Sequence, residues 1–234
     1  GSKRDLGGWP SDAVSAFLSN PSIINENINF EREDPVEAPY KFKKWFGPAN
    51  PNAWHSIHID LALTGDACGI AMAHPDGWTE EGGVKVFVDF IMRIQGSNES
   101  PVQIEDIRQM IYKLTKMGFP IGKITMDGFQ SVDNMQILAR KGYFTEFLSL
   151  DRNMDAYEEW KTAYYEYRID TYDHEHYEKE AKKLEKIKNK KIDHPRGGSK
   201  DLTDAVAGAL FNCVELSQWD PPTDDVEANS VLRF

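Results

Sequence analysis

His55-Ser-Ile-His-Ile-Asp-Leu-Ala-Leu-Thr-Gly-Asp-Ala-Cys-Gly-Ile-Ala-Met-Ala73 is the stretch whose reading decides the fold. Ile57, Ile59, Leu61 and Leu63 recur at period two, Gly65-Asp66 is a turn dipeptide, and Cys68 to Ala73 is a second apolar run. The pattern predicts a β-hairpin, with Asp66 serving the turn. Asp60 falls in the middle of its first strand. A carboxylate there is either exposed on the polar face of an antiparallel strand or buried and in need of a partner such as a metal ion.

The flanking pattern extends the hairpin into a sheet. Val84 to Ile94 is a third apolar run reached through Gly82-Gly83, making a meander. Ile104, Ile107, Ile111 and Leu114 then recur at helical spacing up to Gly118 and Pro120. A strand is expected over Ile121–Met126, a helix over Val132–Arg140 and a fifth strand over Phe144–Leu150. Three antiparallel strands followed by helix, strand, helix, strand require a mixed sheet with helices on its faces. The spacing further predicts a helix over Asn153–Asp170 whose Tyr157, Trp160, Tyr164 and Tyr167 pack as core, and a charged helix over His174–Lys190. A last helix, Lys200–Leu216, is capped by Ser199 and turns Leu202, Val206, Leu210 and Cys213 inward.

The ends read differently. Residues 1–53 are punctuated by Pro10, Pro21, Pro35, Pro39, Pro48 and Pro51, with one short helix expected over Ser11–Ser19. Residues 54–218 form the expected domain, and residues 219–234 a loose tail. Gly1-Ser2 resembles the remnant of a cleaved tag, so a piece of a longer chain is expected.

Composition narrows the class. The 234 residues, 40% hydrophobic, suffice for one buried core, and no apolar run approaches the ~18 residues of a membrane span. Cys68 and Cys213 sit in apolar runs without metal-ligand spacing, which fits free thiols in a reducing compartment. A net charge of −11 argues against coating nucleic acid through bulk charge. Lys182, Lys183, Lys186, Lys188, Lys190, Lys191, Arg196 and Lys200 nevertheless crowd one region, either as a solvated helix face or as a stripe that meets phosphates. Gly197-Gly-Ser-Lys200 lacks the spacing of a phosphate-binding loop.

The acids are the chemical signal. Asp60 lies in the first strand, Asp127 ends the fourth, Asp201 opens the last helix and Asp204 lies one turn further on. If the first and fourth strands are neighbours, these carboxylates meet at one edge of the sheet, where two divalent cations about 3.5–4 Å apart would relieve their repulsion. Hard oxygen ligands select Mg2+ or Mn2+ over zinc. Ala205, Ala207, Gly208 and Ala209 let the last helix come close. His194 is either an auxiliary ligand or proton carrier or, as its proline neighbour favours, a surface-loop residue.

His58-Ile-Asp-Leu-Ala-Leu-Thr-Gly-Asp66, Ile124-Thr-Met-Asp-Gly-Phe-Gln-Ser131 and Asp193-His-Pro-Arg-Gly-Gly-Ser-Lys-Asp-Leu-Thr-Asp-Ala-Val-Ala-Gly208, in that order, resemble the nuclease domain of the large terminase subunit of tailed bacteriophages. Ser149-Leu-Asp-Arg152 with Tyr157 and Tyr167-Arg168 is similar to that family too. The resemblance spans roughly Asn52 to Gln218. It implies an RNase H-like five-stranded mixed sheet and a Mg2+- or Mn2+-dependent endonuclease that cuts concatemeric viral DNA, with catalytic aspartates at Asp60, Asp127 and Asp201 and a further metal-binding acid at Asp204. It also implies an ATPase domain elsewhere in the full-length chain, portal protein and small terminase subunit as partners, and action in the cytoplasm of an infected bacterium. Two other classes stay open: a sugar-kinase-like or actin-like ATPase half, recognised by ATP-dependent stabilisation, and a noncatalytic docking module with solvated acids. Another RNase H-like nuclease or resolvase is the alternative within the nuclease class.

Overall fold

The computed structural model describes residues 14–217 apart from 64, 66, 128–130, 153 and 189. Ser11, Asp66 and the tail beyond Trp219 therefore lie outside the described residues. The predicted hairpin is β4 (His55–Asp60) against β5 (Ala67–Trp78), antiparallel, with Asp60 opposite Gly69. It is preceded by β1 (Val14–Ala16), α1 (Ile23–Glu26), β2 (Val36–Ala38) and β3 (Lys41–Phe42). β6 (Val84–Gln95) completes the meander. α2 (Ile104–Lys116) then carries the chain across to β7 (Ile121–Asp127), which lies parallel to β4. α3 (Val132–Arg140) leads to β8 (Thr145–Phe147), parallel to β7.

The main sheet has six strands in the order β8-β7-β4-β5-β6-β9, one more than the sequence predicts. The extra strand arises where the fourth helix stops early. α4 spans Met154–Tyr165 rather than reaching Asp170, Tyr167 takes a left-handed φ of 53°, and β9 (Ile169–Asp170) joins β6 in parallel. Arg168 fixes this exit: buried, it donates to the Val84 carbonyl and pairs with Glu159 and Glu166.

The charged segment is corrected more thoroughly. α5 covers only Glu175–Ala181, and the residues after it form β10 (Glu185–Ile187) and β11 (Lys191–Asp193). This hairpin pairs through β10 with β1, so a strand at Val14–Ala16 replaces the described part of the helix expected over Ser11–Ser19. Leu184 and Ile192 are buried, while Lys186 and Lys191 are half-buried and Lys188 and Lys190 exposed.

The sheet is covered on both faces. Ile57, Ile59, Ile70, Met72, Phe90, Ile124 and Met126 pack with Ile107, Ile111 and Leu114 of α2 on one side. The other side holds Ala71, Ala73, Val86, Val88 and Ile91 under α4 and α6 (Asp201–Leu216). Trp160, Tyr157 and Tyr164 are core, whereas Tyr167 is exposed. Residues before β4 contribute to both faces: Phe17, Leu18, Ile23 and Ile24 to the second, Phe42 and Phe46 to the first. Among the described residues no helix is long and apolar enough to cross a membrane.

Candidate active site

Asp60 and Asp127 are register partners at the ends of neighbouring parallel strands, so their side chains leave the sheet on the same face. That face also carries Ser56 and His58, the polar half of the β4 alternation, yet both are fully buried. Their cover is α6, which runs along β4 and β7. Ser56 Oγ donates to the Ala209 carbonyl at 2.7 Å, Asn212 donates to Thr125 Oγ1 at 2.6 Å, and Lys123 pairs with Glu215. The small residues make this approach possible. A Cβ on Gly208 would sit 2.3 Å from the His58 ring, and one on Gly69 only 2.0 Å from the Asp201 carbonyl oxygen.

This close helix brings its first turn to the acidic sheet edge. Ser199 is not its cap; Lys200 stands at that position and makes no side-chain cap bond. Glu180 of α5 serves instead, accepting from the amides of Leu202 at 2.9 Å and Thr203 at 3.2 Å while Ser199 Oγ donates to its other oxygen.

Electrostatics show how crowded the edge is. Burial first, then the charges of Asp204 and Asp201, push the Asp60 carboxyl up to about 8. Asp204 is raised to about 6 by burial, against the pull of Lys200 and Tyr157, both of which donate to it. Burial alone would lower Lys200, but Asp204 and Asp151 outweigh it and hold the ammonium above its ordinary value. Of the two helix acids, Asp204 acts on Asp60 more strongly than Asp201. His58 stays neutral, depressed to about 3 by burial and by Lys200. Thr125 Oγ1 accepts from Asn212 and lies 2.7 Å from His58 Nδ1, which fixes the ring in place.

The other sequence candidates are placed as follows. His194 follows β11 and contacts its neighbours, with Nδ1 2.9 Å from the Pro195 carbonyl. The basic stripe is no helix face. Lys182 closes α5 and pairs with Glu178, Lys186 pairs with Glu158, and Lys191 pairs with Asp151 and Asp193. Lys183 joins Arg93, His176 and Lys179 around a cleft of about 370 Å3 beside Gly197–Ser199. Lys200 is only 8% exposed and belongs to the acid cluster. Sequence reading missed it as an ion-pair partner, although Lys200 and Asp204 stand at i,i+4. Tyr157, whose hydroxyl reaches Asp204 from α4, left no such local signal.

No family model and no curated protein matches the chain. Solved structures do. The large terminase nuclease from thermophilic phage G20c with bound magnesium superposes with a TM-score of 0.58 at 11% identity, covering 81% of this chain and 95% of that one. The large terminase nuclease domain of Thermus phage P74-26 gives 0.56 at 11% identity, over 87% and 96%. The HK97 bacteriophage large terminase gives 0.58 at 12% identity over 86% of this chain, which spans 44% of that protein. The chain thus has the RNase H-like fold of these nuclease domains.

Proposed function

We propose that the chain is the nuclease domain of a genome-packaging large terminase, a divalent-metal-dependent endonuclease acting on concatemeric double-stranded viral DNA. The observation that carries this reading is the juxtaposition of Asp60 and Asp127 at adjacent strand ends beneath Asp204, with Asp60 raised to about 8. An all-carboxylate set this short of positive charge fits hard divalent cations, and the G20c relative of like fold holds magnesium. Asp60, Asp127, Asp204 and Asp201 would hold a pair of Mg2+ or Mn2+ ions, which supply an activated water and stabilise the leaving oxygen of a phosphodiester.

The chain's own residues do the rest. Lys200 and the Tyr157 hydroxyl fix the orientation of the Asp204 carboxylate. The cleft of Arg93, Lys179 and Lys183 opens beside the first turn of α6, where the phosphate backbone would run. Lys182, Lys186 and Lys191 are held in partly exposed ion pairs, weak enough for phosphates to displace their partners. Lys188, Lys190 and Arg196 extend the same strip of chain. The ATPase domain, portal protein and small subunit are the partners this role entails, in the cytoplasm of the infected cell.

The test is nicking of supercoiled plasmid with Mg2+ or Mn2+ by the chain and by Asp60→Asn and Asp127→Asn. Metal-dependent nicking lost in both variants is expected; equal nicking by all three overturns the assignment, and no binding of Mn2+ by the unaltered chain favours a docking module.

A further inference from the structure

At the end of β4 opposite Asp60, a second cluster of ligand-type side chains is buried. His55 opens β4, His74 lies beside it on β5, and Asp89 comes from β6. Met72 faces Phe90 and Ala73 faces Val88, so Asp89 is the extra residue of a register break. Bulges of this kind re-aim a side chain, and this one turns Asp89 toward the two rings. All three residues are at most 3% exposed, and one ligand atom from each lies within 4.8 Å of the others.

The separations are informative. His74 Nδ1 lies 3.0 Å from Asp89 Oδ1, a hydrogen-bond distance, but His55 Nε2 lies 3.6 Å from the same oxygen, too far for one. Two ligands of a tetrahedral ion with bonds near 2.0–2.1 Å stand about 3.4 Å apart, so these distances bracket the edge of such a polyhedron. Neither ring nitrogen of His55 makes a hydrogen bond of good geometry, although the Ala53 and Pro120 carbonyls lie close enough to attract its proton. A fully buried imidazole without a good partner is unfavourable for folding unless something completes it. Carbonyls that hold one ring nitrogen protonated and leave the other lone pair aimed inward are the usual support of a metal-ligating histidine.

The geometry points to a transition-metal site of the zinc class at His55, His74 and Asp89, separate in position and in chemistry from the all-oxygen acid edge. Imidazole nitrogens favour zinc and its first-row neighbours, whereas magnesium selects oxygen alone. A cavity of about 500 Å3 lined by Glu31, Glu33, Phe87 and Asp89 reaches the cluster on its Asp89 side. An ion here clamps three adjacent strands at the place where Phe46 and Arg32 of the leading segment dock. The acid-edge function has no part in this argument.

The experiment uses the whole chain carrying Asp60→Asn and Asp127→Asn, stripped with a chelator and titrated with Zn2+ by calorimetry, and separately loaded with Co2+ for visible spectroscopy. One equivalent of Zn2+ bound at submicromolar Kd, an intense four-coordinate Co2+ band, and at least tenfold weaker binding after His55→Gln or Asp89→Asn are expected. No Zn2+ binding in the acid-edge variant, or undiminished binding after His55→Gln, overturns the site. Should His55→Gln lose its far-ultraviolet dichroism, the Co2+ spectrum of the acid-edge variant decides, and a weak six-coordinate spectrum overturns it.

Discussion

The ammonium of Lys200 is held by Asp204, one turn further along α6, and it also reaches Asp151 at 3.1 Å. Both members of the helix pair are nearly buried, at 8% and 5% exposure. Removing one partner of such a pair strands the other charge in a poor dielectric, which costs about 3–5 kcal/mol, while removing both costs far less. Lys200→Met is therefore expected to lower the urea-unfolding free energy by that amount, and adding Asp204→Asn to restore much of it. A double-mutant cycle with a coupling energy near zero would show that the pair is not a unit.

The acid edge predicts an inverted pH dependence in the absence of metal. Asp60 has a folded-state value of about 8 against the ordinary 3.8 of an aspartate, so the folded chain binds that proton more tightly than the unfolded chain. Its stabilisation is complete below about pH 4 and is lost as pH rises through about 8. With chelator present, Tm is expected to fall between pH 5 and pH 8. Asp60→Asn removes most of that fall and has the higher Tm at pH 8, at roughly 2–4 °C per kcal/mol for a chain of this size. Adding Mg2+, which selects the all-oxygen acid edge, restores the unaltered chain at pH 8 and leaves the variant unmoved. Differential scanning fluorimetry across this range checks all three statements.

What could be read in the sequence, and what could not, follows from where each signal resides. The hairpin announced itself because Ile57 and Ile59 alternate with polar residues and Gly65-Asp66 breaks the run, all local features. Element order permitted, without requiring, the crossover that sets Asp127 beside Asp60. The alternation does not say what covers its polar half, Ser56 and His58; here α6 does, an outcome decided by Gly208 and Ala209 some 150 residues away. Residues 185–193 carry lysines at spacings that suit a helix as well as a strand, and pairing with Val14–Ala16, distant in the chain, decides for the strand. Lys200 was read with its basic neighbours because they adjoin it in sequence; it does share Asp151 with Lys191, but its burial and its pair with Asp204 are set by the first turn of α6.

Of the two helix acids proposed to hold the ions, position makes Asp204 the stronger candidate. Asp204 is buried, oriented by Lys200 and Tyr157, and the stronger influence on Asp60; Asp201 is half-buried at the helix entrance. Loss of a group that merely supports a ligand typically costs 10–100-fold in metal affinity or activity. Asp204→Asn is expected to reduce the initial nicking rate by more than that, and Asp201→Asn to remain within it. Rates measured at saturating Mn2+, at a temperature where dichroism shows both variants folded, decide the order. A larger loss for Asp201→Asn would make the helix entrance, rather than its second turn, the third side of the site.

The contact between Gly208 and His58 sets how closely α6 can deliver Asp204. The His58 ring cannot retreat, because the Thr125 hydroxyl holds Nδ1 at 2.7 Å and Asn212 in turn holds that hydroxyl. A methyl group at Gly208 would meet ring atoms at 2.3–2.7 Å, so the helix must move outward. Overpacking of this kind typically costs about 1–3 kcal/mol, and more where neither side can yield. Gly208→Ala is therefore expected to lower stability by at least that amount and to slow nicking even in the folded protein, since Asp204 is drawn back from Asp60. Truncating the obstacle tests the cause: His58→Ala combined with Gly208→Ala should recover nicking relative to Gly208→Ala alone. If the double variant is as slow as the single one, the His58 ring is not what the methyl group strikes, and the helix position is governed elsewhere.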